Sequence, residues 1–273
     1  MSVSLAAEPI AHLGSFPITN SMVNAWIGVI FFVIVAAIAS RRKGLVPKGI
    51  HNFFEAVVEF LINEVQKVTG DRARAKAFFP IVATIFLFVL FSNWIGQIPG
   101  TGSIGVYDLV HGEVELIPLL RPATSDLNMT IAIALFSVIA SHLFGFVKLG
   151  PVSHVSKFVN IRGIFKSFKK GPMAVVVALI EFGVGLLEII SEIAKVLSLS
   201  LRLFGNIFAG EVLMTVMMGI FAYFLPLPFI FLEILVGAIQ ATVFAILTLV
   251  YFTVATESHG HEEGEHHEEP AHA

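Results

Sequence analysis

Apolar residues run almost unbroken through five stretches of the chain, at about 22–39, 79–98, 127–149, 173–221 and 227–255. The first three have the length of a single membrane-crossing helix, about 20 residues. The fourth is too long for a perpendicular span: at about 1.5 Å per residue it reaches roughly 70 Å. It holds no proline and no turn cluster before Pro226-Leu-Pro228. One long, steeply tilted helix is the favoured reading, and a helix broken near Gly205 or Gly210 the other. The fifth stretch is also long for one span. Residues 49–68 alternate differently: Phe53, Val57, Phe60 and Leu61 share a sequence with Glu55, Glu59 and Glu64. That is an amphipathic helix of the kind that lies along a membrane surface. The pattern predicts an all-α polytopic membrane protein of about five transmembrane segments plus this surface helix, with the last two segments forming a long tilted hairpin.

Composition agrees. The 273 residues are 56% hydrophobic and 14% charged, with mean hydropathy +0.86, against about 25% charged in a soluble domain. With no cysteine, neither disulfides nor thiolate chemistry are open to the chain. Residues 1–20 lack a basic region leading into an apolar core, so the first apolar run is expected to stay as a span. The whole chain reads as one transmembrane domain: an outer segment 1–21, membrane helices and loops over 22–255, and a tail 256–273. From Glu257 onward the tail holds five of the ten His and six Glu, a composition that predicts disorder.

Charge sets the expected orientation. Residues 40–77 carry eight basic side chains: Arg41, Arg42, Lys43, Lys48, Lys67, Arg72, Arg74 and Lys76. Residues 148–172 carry six: Lys148, Lys157, Arg162, Lys166, Lys169 and Lys170. Residues 99–126 carry only Arg121, beside Asp108, Glu113, Glu115 and Asp126. The first two segments and the tail are expected inside, and the N-terminus, 99–126 and the Pro226–Pro228 turn outside.

Lys195 and Arg202 are the two basic residues left over, both in the fourth stretch. A guanidinium cannot shed its charge, and at bilayer depth it costs at least about 2.5–3.5 kcal/mol. At 100° per residue, Glu188, Ser191, Lys195, Ser198, Arg202 and Asn206 fall on one stripe about 27 Å long. Lipid does not tolerate such a face, so it must meet protein or water. Glu211 lies about 180° around from Arg202 and is expected to face the last helix. In the fifth stretch Glu233, Gln240 and Tyr251 share a second stripe. Arg202 thus separates outer acids, Glu211 and Glu233, from an inner acid, Glu188. Blander readings stand beside this: static ion pairs, Lys195 snorkelling to the interface, Glu192 pairing with Lys195 across one turn, and His142 as a packed or hydrogen-bonded residue.

The run Leu199-Ser-Leu-Arg202-Leu-Phe-Gly-Asn206, followed by Ala209-Gly-Glu211, resembles the central signature of subunit a of the F-type ATP synthase. So do Ile239-Gln240-Ala241 with Leu247-Thr-Leu-Val-Tyr251, the run Arg121-Pro-Ala-Thr-Ser-Asp126-Leu-Asn128-Met-Thr130, and Asn93 before Ile95-Gly-Gln-Ile-Pro99. The resemblance covers roughly residues 53–259. It implies the proton-translocating stator of a rotary synthase, with no catalytic centre, cofactor or metal of its own. Arg202 would face each carboxylate of an oligomeric c-ring and block a direct leak. Glu211 and Glu233 would line an outer half-channel, Glu233 standing where some relatives carry His. Glu188 would belong to an inner half-channel, and Asn206 and Gln240 would position water or Arg202. Tyr251, Ser191, Lys195 and His142 are further candidates. Partners would be the c-ring, peripheral-stalk b subunits, the F1 sector and lipid, with no nucleic acid. The setting would be the cell's inner (cytoplasmic) membrane. The coupling ion stays open between H⁺ and Na⁺, because its ligands would sit mainly on the ring. The competing class is a stand-alone ion channel or secondary transporter, which usually shows internal repeats; the sequence has none.

Overall fold

The computed structural model describes residues 7–40, 49–98, 100–101, 104–110, 113–151, 154, 172–221 and 224–257. The basic residues Arg41, Arg42, Lys43, Lys48, Lys157, Arg162, Lys166, Lys169 and Lys170 lie outside the described residues, as do all but Glu257 of the His/Glu-rich tail.

Among the described residues six α-helices follow in chain order: α1 (Asn20–Ser40), α2 (Ile50–Thr69), α3 (Arg72–Ile95), α4 (Leu127–Leu149), α5 (Pro172–Ile220) and α6 (Pro226–Thr256). Each expected stretch is a helix. α3 starts well before the apolar run does, because Asp71 caps it, accepting from the backbone N–H of Ala73 at 3.0 Å and of Arg74 at 3.3 Å. The same bonds, that from Ala73 first, hold the Asp71 carboxyl below the ordinary carboxylate range. Arg72, Arg74 and Lys76 are therefore helical although the apolar pattern excludes them. α5 is one uninterrupted helix of 49 residues, about 74 Å at 1.5 Å per residue; neither Gly205 nor Gly210 breaks it. Among the described residues α1, α3, α4 and α6 are long and apolar enough to cross a membrane.

Two short antiparallel hairpins join this helical frame: β1 (Pro9–Leu13) with β2 (Phe16–Thr19), and β3 (Gly105–Val110) with β4 (Glu113–Pro118). The first turns through Gly14 at φ 66°. The alternation of Glu113, Val114, Glu115 and Leu116 is the period-2 signal behind the second.

α3 packs on α6, and α4 packs on both α5 and α6. At one end, Phe252 is fully buried and meets Phe78 and Phe144 at ring-centroid separations of 5.5 and 5.0 Å. In the middle, Leu199, Leu203 and Ile207 of α5 close over Ile85, Val89, Ala134, Ala241 and Phe244. Their spacing of four makes one buried stripe along α5. Outside this core large apolar side chains face outward, Leu197, Leu201, Ile193 and Ile190 of α5 among them, as expected of a protein solvated by lipid.

Phe252→Ala opens a cavity that neighbouring rings cannot fill. A loss of about 3–5 kcal/mol is expected, read as a lower thermal unfolding midpoint in detergent, with Phe252→Leu costing less.

Candidate functional site

The polar side chains form groups at two ends of the bundle, with Arg202 between them. At the end where α1 and α4 begin, buried hydrogen bonds tie four segments together. Ser21 Oγ donates to Asp126 Oδ2 at 3.1 Å, and Asn24 Nδ2 donates to the Arg121 carbonyl at 2.8 Å. Thr124 Oγ1 donates to Asn93 Oδ1 at 2.7 Å, and Asn93 Nδ2 donates to the Gly237 carbonyl at 3.0 Å. Trp94 Nε1 donates to the Ile234 carbonyl at 3.0 Å. Asp126 also caps α4, accepting from Asn128 N–H. These bonds matter because lipid offers buried polar groups no substitute partner.

The girdle aims Arg121 at α5. Its side chain, 4% exposed, donates to Glu211 Oε2 at 3.1 Å. Glu211, expected to face the last helix, takes its partner from the segment before α4. An unpaired acid at this depth would carry a desolvation penalty that Arg121 offsets. Beside it, Glu233 of α6 is 6% exposed and its carboxyl rests on Gly210 of α5. A methyl group at 210 would overlap that carboxyl. Gly210 therefore lets α6 bring Glu233 to the level of Glu211, its neighbour in sequence. Glu233 Oε2 is buried without a hydrogen-bond partner among the described residues.

Arg202 sits on the outer face of α5, exposed, among exposed Leu197 and Leu201. Its hydrogen bond within the described residues goes to Ser198 Oγ, one turn away, at 3.4 Å. Ser191 and Ser198 are likewise exposed, and Glu188 and Asn206 half-buried. Arg202, Ser191 and Ser198 thus face away from the chain's own core. Gln240 of α6 is half-buried and makes no side-chain hydrogen bond among the described residues.

At the opposite end, Lys195 Nζ donates to Glu192 Oε1 at 2.7 Å and lies 5.2 Å from the Tyr251 ring centroid. Lys195 is thereby held between α5 and α6 rather than snorkelling freely. His142 Nε2 of α4 stands 3.5 Å from Glu192 Oε2. Glu192 pairs across one turn as expected, and with a second partner as well. Glu188 and Ser191 are not drawn into this group. Sequence reasoning underrated Arg121, Gly210 and Glu192. The signal for Glu192 was available: it precedes the buried Leu199 by seven residues, about 20° away on the helix, and so points at α4 rather than outward.

A family model described as ATP synthase A chain matches residues 22–253. The protein named ATP synthase subunit a from Moorella thermoacetica is 32% identical over 252 residues, 92% of this chain and 96% of the relative. That of Syntrophobacter fumaroxidans is 32% identical over 255 residues, 93% of this chain and 91% of its own. That of Mycobacterium ulcerans is 36% identical over 215 residues, 78% and 76% of the two chains.

Gly210→Ala is expected to lower thermal stability, whereas Gly219→Ala, where nothing lies within 4 Å, should gain up to about 1 kcal/mol of helix propensity. Equal effects of the two on the unfolding midpoint would remove the close seat assigned to Glu233. A double-mutant cycle over Arg121→Gln and Glu211→Gln should show a coupling of about 0.5–3 kcal/mol.

Proposed function

The chain belongs to the ATP synthase A chain family, and from that premise we propose that it is the ion-translocating stator of the membrane sector of a rotary ATP synthase. It is a multi-pass membrane protein. The observation that carries the mechanism is Arg202, a permanent cation exposed on an apolar helix face whose one hydrogen bond among the described residues is long. Such a charge needs an anion from outside the subunit, and a carboxylate on a neighbouring ring of small hairpin proteolipids supplies one.

Arg202 stabilises each arriving carboxylate in its ionised form. An opposite charge within about 4–6 Å contributes about 1.4–4 kcal/mol to that preference. Moving one charge through 100 mV is worth about 2.3 kcal/mol, so the arginine biases release of the proton without trapping the ring. The fixed cation also repels protons and separates two access paths. Glu233 and Glu211, with Arg121 as counter-charge, line the outer path; Asn206 and Gln240 flank Arg202; Glu188, Ser191, Lys195, Tyr251 and His142 belong to the inner side. No step calls for a cofactor.

The ends of the bundle support the orientation. Asp71 and Lys148 lie close enough to interact electrostatically, so the α2–α3 junction and the end of α4 share one end. The Arg41–Lys48 and Lys157–Lys170 clusters adjoin that same end in sequence. By the positive-inside rule it faces the cytoplasm, and the Arg121–Glu211–Glu233 end faces outward, in the cell's inner membrane. The c-ring, peripheral-stalk b subunits and the F1 sector are the partners this reading requires. The exposed stripe of α5 is the ring-facing surface, and 256–273 is a cytoplasmic tail of the one transmembrane domain.

Arg202→Ala is expected to abolish ATP synthesis in energised vesicles while the complex still assembles; normal synthesis in that variant would refute the assignment. Glu233→Gln is expected to slow proton flux through the membrane sector, and an unchanged flux removes it from the path. The purified chain should co-elute with an oligomeric proteolipid ring.

A further inference from the structure

We propose that His154, His142 and Glu192 form a proton wire that joins the basic-loop end of the bundle to the polar group below Arg202. The proposal rests on the stator reading above and names the groups that conduct on its inner side.

Three elements meet in this chain of contacts. His154, just beyond the end of α4, places Nε2 3.1 Å from His142 Nδ1. His142 Nε2 stands 3.5 Å from Glu192 Oε2 on α5. Glu192 Oε1 accepts from Lys195 Nζ at 2.7 Å, and Lys195 lies over the Tyr251 ring of α6. The Tyr251 phenol is within electrostatic reach of both Glu192 and Arg202. Glu192 is ten residues from Arg202, about 15 Å along α5, and the Tyr251 phenol interacts with both. The charged and titratable groups facing Glu192 are therefore His142 from α4, Lys195 from α5 and Tyr251 from α6.

The geometry is that of a relay rather than a chelate. His142 uses its two ring nitrogens in different directions, one toward His154 and one toward Glu192. The donors are strung in line instead of converging on a point, and no group of three among the described residues can hold a metal ion. Imidazole is the side chain whose unperturbed pKa lies near neutrality, and its two nitrogens let it accept on one side while donating on the other. His154 is held firmly enough for this. It is 2% exposed, edge-on to Phe146 at 4.6 Å, and its ring lies where a Cβ on Gly145 would be.

The proton count balances. A proton delivered from the Arg202 side to the Glu192 carboxylate passes on to His142 Nε2 and restores the carboxylate. The Nδ1–H of His142 passes to His154 Nε2, and His154 releases one proton toward the loop end. Rotation of the His142 ring restores its first tautomer, and the reverse sequence carries protons inward.

The test uses the reconstituted holoenzyme, with ATP-driven proton pumping measured against pH on the loop side. His142→Gln keeps a hydrogen-bonding side chain but cannot carry a proton. It should cut pumping about tenfold or more and flatten its pH dependence, with the complex still assembled. Glu192→Asp should retain more activity than Glu192→Gln. His154→Ala leaves an imidazole-sized space, and added imidazole should restore its pumping. Wild-type pumping in His142→Gln, or a loss that imidazole fails to rescue in His154→Ala and that leaves the pH profile unmoved, overturns the wire and makes these residues a structural clamp. Arg202→Ala assayed alongside separates the two levels. If it stops coupled pumping while His142→Gln does not, only the wire fails; if it too pumps normally, the stator reading itself falls.

Discussion

A guanidinium that cannot be neutralised stands on a helix face otherwise built for lipid. Among the described residues Arg202 makes one long hydrogen bond, to Ser198, and is surrounded by Leu197 and Leu201. Everything else in the molecule can be understood as holding that charge at a fixed height and bearing. Leu199, Leu203 and Ile207 anchor the opposite side of α5 to α3, α4 and α6. The cation is therefore presented by a rigid helix rather than by a loop that could retract it into water.

The same helix sorts its acids by angle. Glu192 lies close to the buried stripe and is drawn into the bundle, where His142 and Lys195 meet it. Glu211 turns toward the segment before α4 and finds Arg121. Glu188 stays on the exposed side. A rotation of about 100° per residue thus decides which carboxylates become internal and which remain available to a neighbour. The polar girdle at the outer end performs the matching task for the loop. It fixes Arg121 by bonding the backbone around it, so that a buried arginine reaches an acid across the interface.

Close approach between α5 and α6 depends on the smallest side chain. Gly210 removes the atom that would occupy the Glu233 carboxyl. Two acids from different helices then lie at one level, one paired and one with an oxygen that has no hydrogen-bond partner among the described residues. Unequal neighbours of this kind suit a path along which a proton is handed from group to group.

Hydrophobic run lengths located the five apolar helices among the described residues, since spans of that length in lipid must close their own backbone hydrogen bonds, and the amphipathic pattern of residues 49–68 located α2. The fixed charge of Arg202, the Arg202–Asn206–Glu211 run, and the Glu233, Gln240 and Tyr251 register were also legible, because helical periodicity needs no knowledge of neighbours. The helix starts were less so: Asp71 draws charged residues into α3 that an apolar pattern leaves out. What the sequence could not disclose was which elements touch. The Arg121–Glu211 pair spans 90 residues and the Asn93–Gly237 bond 144. Gly210 under Glu233 and His154 against His142 depend equally on how helices pack. Periodicity assigns each side chain a bearing on its own helix; only tertiary packing determines what stands opposite, because contact is a property of two surfaces and each segment encodes one of them.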